Sequence, residues 1–165
     1  MAEFQGTHIT NQTATPPTVV DGRVGGGAVK HARDTWEYTD NDNGDYTVVL
    51  KVPVDGVPLS VKYASDDLTS GTTDVGLYKA DGDGTFTAVD DDCFASAIAQ
   101  GSGVVALTEV IYEAAATNIA NANKAFWEWA GLSTRPAYDD MYITVTNDTG
   151  TGAAGTGLLE CTYVV

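Results

Sequence analysis

Short runs in which apolar and polar residues alternate one by one constrain this chain more than any other feature of its sequence. Side chains along a strand point to opposite faces in turn, so a period of two marks a strand with one buried face. Tyr46, Val48, Leu50 and Val52 alternate with Thr47, Val49 and Lys51. Leu59, Val61 and Tyr63 alternate with Ser60, Lys62 and Ala64, and Met141, Ile143 and Val145 with Tyr142, Thr144 and Thr146. Further strands are expected at 34–39, 73–79, 85–89, 104–113 and 157–165, separated by Asp, Asn and Gly clusters that suit turns. Asp81-Gly82-Asp83-Gly84 is a hairpin signal between two of them. Many short strands with frequent turns predict a mainly β fold, an antiparallel β-sandwich of jelly-roll type, and exclude a parallel sheet.

Two stretches depart from that pattern. Ile119, Ala122, Phe126 and Ala130 recur at three and four residues, with Asn118 as N-cap and Gly131 as the stop, which predicts one short helix over about 118–130. Trp127 falls off this apolar stripe, at a sheet edge or facing a partner, whereas Trp129 is expected in the core. Residues 93–99 read as a second short helical turn. Residues 1–32 are polar and rich in Thr and Gly, and Pro16-Pro17 and Gly25-Gly26-Gly27 oppose regular structure. They are expected to form an extended arm, either a disordered leader or a strap that orders against a neighbouring subunit, before a sandwich domain at 33–165.

A chain of 165 residues fits one domain and buries roughly 70% of its unfolded surface, so a core forms without staples. With 23 Asp and Glu against 8 Lys and Arg the formal charge is -15. Phosphate backbones and anionic membranes repel such a chain, so neither nucleic acid nor membrane is an expected partner. The N-terminus lacks a basic start followed by an apolar run, and no window approaches the roughly 20 apolar residues of a membrane helix, which predicts a soluble product made in the cytosol. Cys93 and Cys161 lie far apart in sequence and lack histidine neighbours, so they form neither a zinc site nor a CxxC pair. Buried reduced thiols are expected over a disulfide.

Each site-like pattern has a plainer explanation. Gly150, Gly152 and Gly155 match GxGxxG, but the helix that holds a pyrophosphate does not follow, and they read as a turn. Residues 22–30 do not complete a phosphate loop, because Val29 precedes Lys30 and no Ser or Thr follows. In the run from Asp40, Gly44 is fifth and the twelfth residue is Lys51, which excludes an EF-hand. That run, Asp81 with Asp83, Asp90-Asp91-Asp92 and Asp139-Asp140 read as solvated turns without a metal. His8 and His31 both fall in the polar arm, and no carboxylate pattern specifies a glycosidase pair. No catalytic residue, cofactor or metal is therefore expected. Trp36, Tyr38, Trp127 and Tyr138 are the candidate interface residues, as core or subunit contacts first and as a sugar-stacking platform second.

The blocks Thr73-Asp74-Val75-Gly76-Leu77-Tyr78, Asp91-Asp92-Cys93-Phe94-Ala95-Ser96-Ala97-Ile98, Ala125-Phe126-Trp127-Glu128-Trp129-Ala130-Gly131-Leu132 and the strand from Tyr138 to Thr146 stand in an order of their own. Taken in that order they resemble small structural proteins of tailed bacteriophages, of the kind encoded close to the major capsid protein. The resemblance spans residues 58–165 and carries no catalytic signature. It implies a head decoration or cement protein on the capsid exterior, with the major capsid protein as partner and self-association as a trimer. A neck, tail or fibre component is the alternative within the virion, and a carbohydrate-binding or adhesin module the alternative outside it.

Overall fold

The computed structural model describes residues 27–38, 42–101, 103–112, 121–150 and 154–165. Eight strands follow in chain order: β1 (Val29–Tyr38), β2 (Tyr46–Pro53), β3 (Val57–Ser65), β4 (Thr72–Ala80), β5 (Phe86–Ala99), β6 (Val105–Glu109), β7 (Asp140–Thr149) and β8 (Gly155–Val164). They form two four-stranded sheets, β1-β8-β3-β6 and β2-β7-β4-β5, with antiparallel pairing throughout. Consecutive strands cross from one sheet to the other except at β4 and β5, which share a hairpin. That interleaving is the eight-stranded jelly roll. All eight strand regions expected from the alternation and the turn clusters are present, and β1 begins at Val29, inside the segment assigned to the arm.

The β4–β5 hairpin forms as its residues dictate. The Asp81 N–H donates to the Thr85 carbonyl at 2.8 Å, and the Asp83 carboxylate accepts from the Thr85 N–H and hydroxyl at 3.0 and 2.6 Å. Asp81 and Asp83 are turn-builders here, and their carboxyls are held below the usual range chiefly by hydrogen bonds from Thr87 to Asp81 and from Thr85 to Asp83.

Bulges change which residues reach the core. Between Val48 and Leu50 the β2–β7 register shifts, so Leu50 and Val52 face inward while Tyr46 is 43% exposed. A shift between Pro58 and Ser60 likewise turns Leu59 outward, 47% exposed, while Val61 and Tyr63 are fully buried. Alternation alone assigned Tyr46 and Leu59 to the buried faces, and an inserted residue reverses the phase. Glu109 secures the second bulge, accepting from the Val61 N–H at 2.8 Å and the Ser60 hydroxyl at 2.5 Å.

The largest irregularity lies in β5. Val75 pairs with Ala95 and Leu77 with Asp90, so residues 91–94 are accommodated opposite Gly76 alone. A Cβ at Gly76 would lie 2.2 Å from the Asp91 carbonyl carbon and 2.3 Å from the Asp90 oxygen, so the close approach requires glycine. Residues 93–99, expected as a helical turn, belong to this strand, and their alanine-rich sequence follows the bulge with Ala97 at φ 56.

The expected helix is also shorter. Asn118 and Ile119 lie outside the described residues, and the α-helix α1 spans only Phe126–Trp129. The N–H groups of Phe126 and Trp127 donate to the carbonyls of Gly56 and Val54, at 2.9 and 3.3 Å, and are thus taken from any preceding helical turn. Gly131 ends the helix as expected: at φ 70 its N–H bonds Glu128, and the Leu132 N–H bonds Trp127, both at 3.2 Å. Phe126 and Trp129 are buried against Phe94, with ring centroids 6.3 and 5.5 Å away.

Cys93 and Cys161 are free and buried, and burial pushes the Cys161 thiol up to about 12. At one end of the core the Tyr38 and Tyr63 hydroxyls are 2.9 Å apart, Gln100 donates its amide to Tyr63, and Ser65 donates to Gln100 at 3.2 Å. Burial, followed by the Tyr63 neighbour, raises the Tyr38 pKa far above the phenol range.

Two stability predictions follow from this packing. Gly76→Ala should cost on the order of 3 kcal/mol in urea unfolding, because two backbone segments must part, while Gly82→Ala, with open space around it, should stay within about 0.5 kcal/mol. Tyr63→Phe removes the acceptor of the Gln100 amide and the hydroxyl paired with Tyr38, and should cost about 2–3 kcal/mol, against about 1 kcal/mol for Tyr38→Phe. Equal losses for the two tyrosine variants would show that no shared network exists.

Candidate interaction surfaces

The four aromatic residues singled out in the sequence occupy different environments. Trp36 on β1 is half-buried and lies over Gly157 of β8, with its ring 5.5 Å from Tyr38 and 6.1 Å from Tyr63. Tyr38 is 1% exposed and belongs to the core. Trp127 and Tyr138 are half-buried, and burial raises the Tyr138 hydroxyl pKa. Among the described residues no ring contact joins Trp36 or Tyr38 to Trp127 or Tyr138, so the four do not form one platform.

The second sheet carries an aromatic row that the sequence reading did not single out. Tyr46 and Tyr78 lie 5.2 Å apart, Phe86 and Tyr142 4.9 Å apart, and the Tyr46 hydroxyl donates to the Phe86 carbonyl at 3.2 Å. The β2 bulge is what turns Tyr46 toward this face, and strict alternation gives no sign of it.

Beside the aromatic row lies a concentration of carboxylates. In a regular strand Asp91 would face away from Asp90 and Asp92. The bulge over Gly76 instead brings ligand oxygens of all three within 4.8 Å of one another, so these residues sit inside β5 and not in the solvated turn expected for them. They are the one group among the described residues with the spacing to share a metal ion. Asp74 is drawn into the same field. Its carboxylate accepts from the Ala97 N–H at 2.7 Å, while burial, and then Asp148, Asp92 and Asp91, hold its pKa up.

Ion pairs form away from this group, at Arg33–Glu160, Lys51–Asp140, Lys79–Asp81 and Arg135 with Asp55 and Asp139. Strands of the second sheet carry Lys51 and Lys79 against Asp74, Asp90, Asp91, Asp92, Asp140 and Asp148. Those of the first carry Lys30, Arg33 and Lys62 against Asp34, Glu37, Glu109 and Glu160. One sheet is thus strongly acidic and the other nearly balanced.

Apolar exposure follows the opposite distribution. Among the described residues Val29, Leu59, Val104, Leu107 and Val165 are exposed on or beside the first sheet, whereas Tyr46 is the one large hydrophobic so exposed on the second. A surface with little net charge and several exposed apolar groups is the chemistry of a protein-protein contact. His31 stands on this sheet as well, with Nδ1 3.1 Å from the Thr162 hydroxyl, while His8 lies outside the described residues.

The acidic face gives a pH prediction. Burial, then the hydrogen bond and charge of Asp92, raise Asp90 to about 6. A carboxyl whose folded pKa exceeds its unfolded value favours the folded state at low pH, and that contribution is lost as pH rises through about 6. Asp90→Asn should therefore raise the melting temperature at about pH 7.5 and leave it little changed near pH 4.5. Equal effects at both values would mean that Asp90 carries no such strain.

No protein-family model and no curated protein matches the chain significantly. Solved structures do match it in fold. A chain in the capsid of Ralstonia phage GP4 is 20% identical with a TM-score of 0.56, and the match covers 84% of each chain. A chain in the capsid asymmetric unit of cyanophage Pam1 is also 20% identical, with a TM-score of 0.51, over 85% of this chain and 86% of that one. Both matches run through most of the jelly roll and show that the fold is shared.

Proposed function

We propose that the protein is a structural component of a phage virion, a decoration or cement subunit that binds the exterior of the assembled head and stabilises it. The observation that carries this reading is the jelly roll shared over 84% of the chain with a chain of the Ralstonia phage GP4 capsid. The two-faced surface supports it. A nearly balanced sheet with exposed Val29 and Leu59 suits contact with the major capsid protein, and the acidic sheet suits solvent. A carbohydrate-stacking role loses support, because Tyr38 is core and, among the described residues, no ring contact joins it or Trp36 to Trp127 or Tyr138.

The mechanism is mass action and needs no cofactor, metal or catalytic group. A subunit that binds the assembled shell and not its separated parts stabilises the shell by about 2.7 kcal/mol per site at a free concentration one hundred times Kd. Repeated weak contacts on a lattice then add through avidity. Closed cyclic contacts between copies, as in a trimer, fit such a lattice.

The test uses heads assembled from the major capsid protein of the phage that encodes this chain, with and without the purified protein. Decoration predicts a copy number near that of the capsid subunit, by quantitative mass spectrometry, and a higher temperature for shell opening. One ring's worth of copies would move the protein to the neck or tail. Saturable glycan binding without association with particles would overturn the virion reading.

A further inference from the structure

A groove of about 330 Å³ crosses the outer face of the first sheet at its β6 end, walled by Thr35, Ala64, Leu158, Val104, Ala106 and Leu107. Thr35, Leu158 and Ala64 are register partners in one row, on the side opposite the core row of Trp36, Gly157 and Ser65. Val104 is 72% exposed and Leu107 46%, so the groove holds two of the most exposed apolar side chains described. β6 is five residues long and, among the described residues, pairs only with β3, with no described strand along its other edge beside the groove. An apolar trough next to an open strand edge suits an extended segment, whose backbone pairs with the edge while its side chains fill the trough.

We propose that the groove receives the N-terminal segment of a second copy of this chain, with Val19 and Val20 seated against Val104 and Leu107. The direction of the chain is the first reason. β1 runs from Val29 toward Tyr38 and carries Thr35, its groove residue, near its far end, while Ala28 is held to Val165 by a pair of hydrogen bonds of 3.1 Å. Traced backward from Ala28, the chain therefore heads away from its own groove. Reaching that groove would require reversing direction and retracing about 20 Å of its own sheet. A neighbour's groove requires no reversal, and the nine residues from Val20 to Val29 extend up to about 30 Å.

Chemistry is the second reason. Residues 1–26 contain only Glu3, Asp21 and Arg23 as charged side chains in a protein of net charge -15, so this segment can approach another copy with little repulsion. Val19 and Val20 are β-branched and lie between Pro17 and Gly22, which suits a short added strand. The nearly balanced first sheet accepts such a segment, and the acidic second sheet offers it no matching charge. This contact is a property of the chain alone and does not depend on the virion reading.

The experiment places p-benzoylphenylalanine at Leu107 in the full-length chain and mixes nitrogen-15-labelled with unlabelled copies before irradiation. Cross-links from position 107 to peptides within residues 1–26, with half or so of the products isotopically mixed, are expected. Cross-links confined to single copies, or reaching no residue of that segment, would overturn the proposal. Val19→Asp with Val20→Asp should weaken self-association at least tenfold in sedimentation equilibrium while leaving the circular dichroism spectrum unchanged. A folded double variant that associates as tightly as the parent would equally overturn it.

Discussion

Contact between Gly76 and the backbone of Asp90 and Asp91 organises much of this molecule, because it decides what β5 sends inward and what it sends out. With four residues accommodated opposite one, Cys93, Phe94 and Ala95 reach the core while Asp90, Asp91 and Asp92 are gathered on the outer side. Phe94 then supplies the surface on which Phe126 and Trp129 pack, so the short helix and the connection it closes depend on the same bulge. The acidic group outside is the electrostatic cost of that arrangement, visible in the raised pKa of Asp90. A single missing side chain thus links the packing of the core to the character of a surface.

The two outer faces differ as a consequence of sheet membership. Interleaving the strands sends Asp74, Asp90–Asp92, Asp140 and Asp148 to one sheet and Lys30, Arg33 and Lys62 to the other, although along the chain these residues are mixed. Fold topology, and not composition, therefore sets the polarity. For a protein of net charge -15 that polarity matters, because like-charged faces meeting cost several kcal/mol whereas a balanced face carries little penalty.

Period-two alternation and turn residues such as Asp81 to Gly84 together located all eight strands, because strand position depends on local pattern. Facing was less legible. Tyr46 and Leu59 carry the residue types of buried positions, and only the pairing partner across the sheet reveals that a bulge has turned them out. The helix was overextended for a related reason: Ala122 shares the spacing of Phe126 and Ala130, but the carbonyls of Val54 and Gly56, distant in sequence, claim the N–H groups that an earlier turn needs. Of the candidate surfaces, the total charge was evident from the sequence, while its segregation required the strand order. The aromatic row of Tyr46, Tyr78, Phe86 and Tyr142 escaped notice because its members come from four strands.

Segregation of charge also limits how copies of this protein can assemble. Two acidic sheets cannot face one another closely without a counter-ion, since the Debye length near 8 Å at physiological salt leaves short-range repulsion in place. Contacts between copies are thereby directed to the first sheet and its edges, where Arg33 is already neutralised by Glu160 and exposed Val29, Leu59, Val104 and Leu107 remain to be covered. Burying those four side chains gives roughly 1.5–3 kcal/mol each at most, which is enough for a reversible contact and too little for a permanent one. A contact of that strength is favoured where many copies are held side by side over copies free in dilute solution. The proposed decoration role calls for that property, since a subunit of that kind has to add to an assembled shell without aggregating beforehand.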